Sequence, residues 1–405
     1  MKKFLVSVLI FTAILTMSGY AESSPGTTAV TMTATAVLAG AAGTRATGTA
    51  TLTVPDHTKS PSGTSTIAMT ATPSGTSTIA MTATPSGTST IAMTETSSST
   101  PTITMTPTAV FTGAVWTQAA GKAGFSGRAW PGSIVYDNKM WVIAGGISAM
   151  NDVWNSNDGT TWTQVTHTAG FSARYSFASL AYNGRMWVIG GFSKLVNLSD
   201  VWSSADGVTW TQVTPTAGFK GRLGPGSLVY NNRMWVIGGL THNAFVNDVW
   251  SSGDGAAWTQ AVHTAGFSAR YAFGSVVYNN KMWVIGGETD EGDNIILAND
   301  VWSSEDGVSW TQVTGTAEFS GRCELGSLVY DNKMWVIGGE TDIKKSITAG
   351  DAWCSIDGKT WTQVSGAAWS GGRCKLGSLV YNDKMWVIGG WNSSSGYLND
   401  VWWLQ

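Results

Sequence analysis

The feature that most constrains the fold of this chain is one block of sequence, K/R-M-W-V-I-(A/G)-G, which occurs six times between residues 139 and 390. Its methionine stands at Met140, Met186, Met234, Met282, Met334 and Met385, so that successive copies are 46, 48, 48, 52 and 51 residues apart. Periods of 20–50 residues are typical of arrays in which each repeat is one small structural unit that packs on its neighbours. The chain therefore carries six such units.

Each repeat contains four segments with the character of β-strands. In the third repeat they read GSLVYNN, RMWVIGG, NDVWSS and AAWTQAV. Asn-Asn between the first two segments and S-x-D-G before the fourth are turn signals that join antiparallel strands. Four-stranded antiparallel sheets repeated around an axis make a β-propeller. The sequence thus predicts an all-β, six-bladed propeller over residues 114–405.

The two ends of this region complement each other. The last repeat stops at Gln405, after LNDVWWLQ, and lacks a fourth segment. Residues 114–118, AVWTQ, match the WTQ-containing fourth segments of the other repeats. We expect this N-terminal strand to complete the last blade, because closure of the ring removes the unpaired strand edges of an open array.

The first residues predict export of the chain. Lys2 and Lys3 precede an apolar run over residues 4–17, and Gly19 and Ala21 are the small residues of a cleavage site after Ala21. The run is short for a transmembrane helix. Residues 1–21 are therefore interpreted as a signal peptide, with the mature protein secreted or on the cell surface, or alternatively periplasmic, and not inserted in the membrane.

Residues 22–113 are rich in Thr, Ser and Ala and of low complexity. Within them PSGTSTIAMTAT recurs with a period of twelve residues from Pro61, Pro73 and Pro85. Such a composition buries too little apolar surface to offset the entropy of the chain, which predicts a disordered stalk. The alternative is that the TIAMT segments pair as strands.

The repeats resemble the Kelch family, and within it the secreted bacterial domains called galactose-oxidase-like. The resemblance rests on the double glycines that close the second strands, such as Gly190-Gly191 and Gly238-Gly239, and on paired tryptophans such as Trp202 and Trp210. It implies the fold but leaves function open, since Kelch propellers serve as oxidase scaffolds, protein-docking platforms, sialic acid mutarotases and adhesins. The two Tyr and two His that hold copper in galactose oxidase have no credible counterpart here, so we predict no cofactor and no metal.

One arginine recurs at a fixed place before each inner strand, on the face that also carries the variable loops. These residues are Arg128, Arg174, Arg222, Arg270, Arg322 and Arg373. A ring of guanidinium groups at the channel mouth would bind carboxylates or sulfates. The alternative is that each pairs with the aspartate that recurs where the third strand begins, at Asp152, Asp200, Asp248, Asp300, Asp351 and Asp400.

Departures from the repeat add aromatic side chains to the same face. Trp130, Tyr175 and Tyr271 lie next to or near these arginines, and Trp391 lies in the last variable loop. Aromatic rings at a channel mouth can stack on sugars, and the alternative is packing between blades. Cys323 and Cys374 are equivalent residues of adjacent blades, and we expect free thiols there or one disulfide that involves Cys354.

Function is predicted from this face. The net charge of −3 and the absence of a Lys/Arg run exclude nucleic acid as a partner. We expect an exported, monomeric, non-catalytic recognition module that binds a glycan or an extracellular protein through the channel mouth. One alternative is a carbohydrate-active enzyme of the sialic acid mutarotase type, for which Glu324 beside Arg322 is the only candidate acid on an inner strand. A structural surface protein is the second alternative.

Overall fold

The computed structural model describes the segments 16–24, 27–35, 48–55, 65–71, 77–83, 89–95 and 104–105, and residues 116–405 with gaps at 147, 149, 243, 291–293, 366–368 and 370. The chain divides into two compact units, Met1–Phe111 and Thr112–Gln405. The described residues are all strand, turn or irregular, so they include no helix long and apolar enough to cross a membrane.

The first unit contains two antiparallel sheets. One sheet has the strands Thr16–Ser24, Thr27–Thr35 and Gly48–Pro55, and the other has Ser65–Ala71, Ser77–Ala83, Ser89–Glu95 and Thr104–Met105. The TIAMT segments pair with one another, with Ala68 opposite Ala80 and Ala80 opposite Ala92.

This pairing corresponds to the alternative in which the TIAMT segments form strands, and the disordered stalk over residues 22–113 stays a prediction. The constant twelve-residue period supplies the same Thr- and Ile-rich strand each time, and β-branched residues favour strands. Most of the predicted signal peptide, residues 1–15, lies outside the described residues.

The second unit is a six-bladed β-propeller, which confirms the predicted fold class. Blade 1 has the strands Gly132–Tyr136, Lys139–Gly145, Met150–Ser156 and Thr163–Thr166. Blade 2 has Ala178–Tyr182, Arg185–Ser193, Val196–Ser204 and Thr211–Thr214. Blade 3 has Gly226–Tyr230, Arg233–Thr241, Phe245–Ser252 and Thr259–Val262, with the short strand Arg222–Leu223.

Blades 4 to 6 repeat the same order from the inner to the outer strand. Their strands are Gly274–Tyr278, Lys281–Asp290, Ile295–Ser304 and Thr311–Thr314, with the short strand Arg270–Tyr271; Gly326–Tyr330, Lys333–Ile337, Ala352–Ser355 and Thr362–Ser365, with a hairpin of Glu340–Asp342 and Ile347–Thr348; and Gly377–Tyr381, Lys384–Asn392, Gly396–Leu404 and Thr117–Ala120.

The ring closes as the sequence predicts. Thr117–Ala120 pairs with the last strand of the chain, and Gln118 lies opposite Trp402. The first and last strands of the propeller therefore belong to one blade, which closes the ring.

The core lies between the faces of adjacent blades. Trp141 and Ile143 of blade 1, for example, pack with Met186 and Val188 of blade 2, and all four side chains are buried. This explains why the block M-W-V-I recurs: its alternate side chains face opposite neighbours, since successive residues of a strand point to opposite sides of the sheet.

The S-x-D-G-x-x-W segments are tight structural turns. In blade 2, the Ser204 hydroxyl accepts the N–H of Gly207 at 2.8 Å, and Asp206 Oδ1 accepts those of Val208 and Thr209 at 2.8 Å each. Trp210 Nε1 then donates to the Gly207 carbonyl at 3.0 Å. Because the turn satisfies its own polar groups, we assign it to the architecture.

Candidate functional site

The six repeated arginines lie inside the blades. All are 0–1% exposed, and each forms an ion pair with the aspartate of its own repeat, at N–O distances of 2.6–2.9 Å. Arg174, for example, is bidentate to Asp200, with Nη1 to Oδ1 at 2.6 Å and Nη2 to Oδ2 at 2.8 Å.

Burial of these arginines corrects the prediction that they bind a ligand. A guanidinium without exposed surface cannot contact an anion in the channel, and its partner aspartate already satisfies the charge. Arg128, Arg174, Arg222, Arg270, Arg322 and Arg373 are therefore structural, and the alternative of Arg–Asp pairing is confirmed.

The double glycines supply a further acceptor for each arginine. In blade 2 the register of the second and third strands shifts between Ile189 and Gly191, and the Gly190 carbonyl accepts Arg174 Nη1 at 2.9 Å. In blade 1 Ala144 takes the place of the first glycine, at a φ of 51°, and its carbonyl accepts Arg128 Nη1 at 2.9 Å.

A ring of backbone lies two residues beyond the arginines, and we call it the mouth ring. Its members are Trp130, Ser176, Gly224, Ala272, Glu324 and Lys375, all with φ between 50° and 58°. Five of the six amides donate to the carbonyl of the preceding member: Glu324 to Ala272 at 2.7 Å, Lys375 to Glu324 at 2.9 Å and Trp130 to Lys375 at 2.8 Å, with Gly224 to Ser176 and Ala272 to Gly224 at 2.8 and 2.9 Å.

The mouth ring explains how residues about 50 positions apart in sequence meet. The inter-blade hydrogen bonds place equivalent residues side by side around the channel, whatever their side chains. Non-glycine residues in left-handed conformation cost about 1–3 kcal/mol each, and such strain clusters at functional sites.

The Lys375 ammonium is the centre of a charged and aromatic cluster, which we call the ammonium cage. Its nitrogen lies 3.1 Å from Glu324 Oε2 and 3.5 Å from Glu340 Oε2. It also lies 4.8 Å from the ring centres of both Trp130 and Trp391. Two carboxylates and two indoles thus surround one ammonium, contributed by blades 1, 5 and 6.

The predicted aromatic residues are brought together in part. Trp130 stacks on Tyr175 with ring centres 5.1 Å apart and planes at 23°, and Trp391 joins them across the Lys375 ammonium. All three side chains are half-buried, so each keeps exposed surface. Tyr271 packs on Phe245, with ring centres 5.2 Å apart, and is hydrogen-bonded to Glu288.

Burial perturbs the titration of the acidic side of the mouth. It raises the pKa of Glu324 to about 7, against the opposing effect of Lys375. Burial also raises the pKa of Glu288, to which Tyr271 is hydrogen-bonded. For Lys375, burial lowers the pKa, but the charge of Glu324 outweighs it and the net direction is upward.

One group of described residues brings metal-ligating atoms together. The Cys323 thiol and a carboxylate oxygen each from Glu324 and Glu340 lie within 4.8 Å of one another. Burial raises the pKa of Cys323, which disfavours the thiolate, and Lys375 already supplies a cation to both carboxylates. The three cysteines are free, as one of the two expectations had it.

Sequence reasoning missed two members of the ammonium cage, Lys375 and Glu340. The available signal was the alignment of the repeats: the position two residues after each arginine reads Trp, Ser, Gly, Ala, Glu and Lys, whereas the arginine itself never changes. The position after the double glycine likewise varies, and it contributes Glu340 and Trp391.

A cavity of about 340 Å³ lies elsewhere on the propeller, between blades 2 and 3. Arg185, Trp187, Ser203 and Asp254 are among its lining residues. Each has an identical or similar counterpart in most other blades, so the cavity carries no departure from the repeat and we do not assign it a ligand.

Comparison with known proteins agrees with this architecture. A family model described as the DUF6242 beta propeller domain matches residues 65–350, and a Kelch motif matches residues 372–405. Among solved structures, one described as "Structure of YjhT" is similar with a TM-score of 0.59 at 15% identity, over 70% of this chain and 96% of that chain. At this identity the similarity shows the fold alone. No curated protein matches the chain.

Proposed function

This chain belongs to the DUF6242 β-propeller family, and we propose that it is an exported, non-catalytic recognition module that binds a glycan through the channel mouth. The observation that carries the proposal is the aromatic cluster of the mouth, in which Trp130 and Trp391 contact the Lys375 ammonium and Tyr175 stacks on Trp130. Export rests on the signal-like residues 1–21.

The distribution of constant and variable positions supports a binding role for the mouth. The Arg–Asp pairs and the S-x-D-G turns recur through the repeats and hold the blades together. The mouth ring keeps one backbone geometry while its side chains differ in every blade. Binding residues are typically variable side chains held on a rigid scaffold.

The chemistry of the cluster suits a sugar. Half-exposed indole and phenol rings offer flat apolar faces to the C–H groups of a pyranose, and Trp and Tyr also carry polar atoms for its hydroxyls. Glu324 and Glu340 add hydrogen-bonding carboxyl groups beside the same rings, where they contact Lys375. A protein partner is the alternative, favoured by the exposed Leu195, Val196 and Ile295 in the second-to-third strand connections of blades 2 and 4.

The test is binding of the full chain to a panel of neutral, acidic and amino glycans. We expect selective binding that falls about tenfold or more in the double variant Trp130→Ala, Trp391→Ala, given about 0.5–1.5 kcal/mol for each aromatic contact. Trp403→Ala is the matched control, because this half-buried tryptophan contacts Lys384 outside the mouth cluster. Folded wild-type protein that binds no glycan would refute the proposal and favour a protein partner or a structural role.

A second candidate is an enzyme of the sialic acid mutarotase type. It is favoured by Glu324, whose pKa of about 7 suits a general acid or base at the channel mouth. Arg322 does not join it, because its guanidinium is bidentate to Asp351. An accelerated interconversion of sialic acid anomers, followed by NMR and abolished in Glu324→Gln, would support this function; an unaccelerated rate excludes it.

A further inference from the structure

The ammonium cage is a site for a cation that the chain fills with its own side chain. Trp130 and Trp391 present their rings to the Lys375 nitrogen at 4.8 Å, which is the range of a cation–π contact. Glu324 and Glu340 complete the shell at 3.1 and 3.5 Å. Aromatic faces combined with carboxylates bind amines and do not suit anions.

Negative charge exceeds positive charge around the cage. Two carboxylates, those of Glu324 and Glu340, contact the single ammonium. A third carboxyl group, that of Glu288, lies near enough to Glu340 for the charge of Glu340 to raise the pKa of Glu288. The guanidinium groups of Arg322 and Arg373, two residues before Glu324 and Lys375, are buried and paired with Asp351 and Asp400. A sialylated, uronic or sulfated sugar would therefore meet carboxyl groups and no unpaired guanidinium from Arg322 or Arg373 at this site.

Lys375 is held by the charge of the two carboxylates. The buried Glu324 Oε2 lies 3.1 Å from the Lys375 nitrogen and forms an ion pair with it. The Lys375 side chain is 16% exposed, compared with 6% for Glu324. An external amine can thus approach the cage from the exposed side of the Lys375 side chain.

We propose that the glycan bound at the channel mouth carries free amino groups, and that its ammonium replaces that of Lys375 between Trp130, Trp391, Glu324 and Glu340. This inference rests on the proposed glycan-binding function and names the class of sugar. The pyranose ring that bears the amine would lie against Trp130 or Trp391, as sugar rings do on indoles. The Lys375 side chain, held by a single flexible stem, turns toward solvent when the ligand binds.

The experiment compares two oligosaccharides that differ only in N-acetylation. Binding of the full chain to the hexamer of glucosamine and to the hexamer of N-acetylglucosamine is measured by calorimetry near 150 mM salt, which screens non-specific charge attraction. We expect the amino form to bind about tenfold tighter or better.

A second test replaces Lys375, whose ammonium lies in the cage. Lys375→Met removes the competing ammonium and retains the apolar stem, so the affinity for the glucosamine hexamer rises about tenfold or more. Lys384→Met is the matched control, because it removes another ammonium stacked on a tryptophan, 3.7 Å from the ring centre of Trp403. Its affinity should equal that of the wild type.

Three results separate the failure of this inference from that of the proposed function. Equal affinity for the two hexamers, or weaker binding by Lys375→Met, overturns the inference while glycan binding stands. Tight binding of spermine at the cage, equal to that of the glucosamine hexamer, overturns the requirement for a sugar. If no member of the neutral, acidic and amino panel binds, both proposals fall.

Discussion

Replacement of one repeated arginine should destabilise the propeller and leave the side chains of the channel mouth unchanged. Arg222 of blade 3 is the best choice, because its neighbours at the mouth, Leu223 and Gly224, carry no charge. Its side chain donates to both oxygens of Asp248, to the Gly238 carbonyl at 2.8 Å and to the Lys220 carbonyl at 3.1 Å.

The expected cost of Arg222→Met follows from these contacts. The substitution leaves the Asp248 carboxylate, 13% exposed, with only Trp250 Nε1 as a described side-chain donor at 2.8 Å. Removal of one partner from a buried ion pair destabilises a protein by about 3–5 kcal/mol. In a domain of this size that lowers the melting temperature by roughly 10 °C.

The assay is equilibrium urea and thermal unfolding followed by tryptophan fluorescence. The double variant Arg222→Met, Asp248→Leu should recover part of the loss, because exchange of a whole buried pair for apolar residues is often close to neutral. A loss below about 1 kcal/mol in the single variant would refute the assignment of the arginines to the architecture. So would a variant of normal stability that no longer binds the glycan.

The remaining predictions concern the turns. Backbone N–H groups, first that of Thr209, lower the pKa of Asp206 in the folded protein. A carboxyl group whose pKa is lower in the folded than in the unfolded state stabilises the fold above its unfolded-state pKa, which is about 4 for aspartate. The free energy of unfolding should therefore fall as the pH drops below about 4. Asp206→Asn should flatten this pH dependence in urea titrations, and an unchanged slope would contradict it. Gly207→Ala, at a φ of 75° against the Trp141 ring, should cost about 1–3 kcal/mol more than Gly184→Ala, which has a φ of 65° and open space around it. Equal costs in chemical denaturation would show that only the backbone conformation matters.

The fold was predictable because its determinants are local and repeated. The M-W-V-I block is a continuous apolar run, as expected of a strand that is buried on both faces, and the Asn-Asn and Asp-Gly pairs are local signals for the turns. Repetition then specifies the number of blades. Even the closure by Thr117–Ala120 follows from a missing fourth strand in the last repeat.

The candidate site was predictable only as a face of the propeller. Trp130, Tyr175 and Trp391 were recognised as departures from the repeat. In the structure Trp130 and Trp391 contact the Lys375 ammonium, and Tyr175 stacks on Trp130. The sequence identified the repeated arginines, but the prediction that they are exposed at the channel mouth was wrong, because all six are buried. Whether a side chain is exposed depends on its neighbours in space. Each arginine lies 24–30 residues from its aspartate in the sequence, and the pair is buried where the double-glycine bulge turns a carbonyl toward the arginine.

Sequence alone thus determined the architecture of this protein, because strand alternation, turn chemistry and period act over a few residues or repeat identically six times. Only the tertiary structure decided which charges meet. Glu324, Glu340 and Lys375 come from two blades and form ion pairs because inter-blade hydrogen bonds bring equivalent residues together around the channel. Coulombic and cation–π interactions depend on distance in space. In this protein, residues that are 46–52 positions apart in the sequence become neighbours around the channel, so their separation in sequence does not indicate their distance.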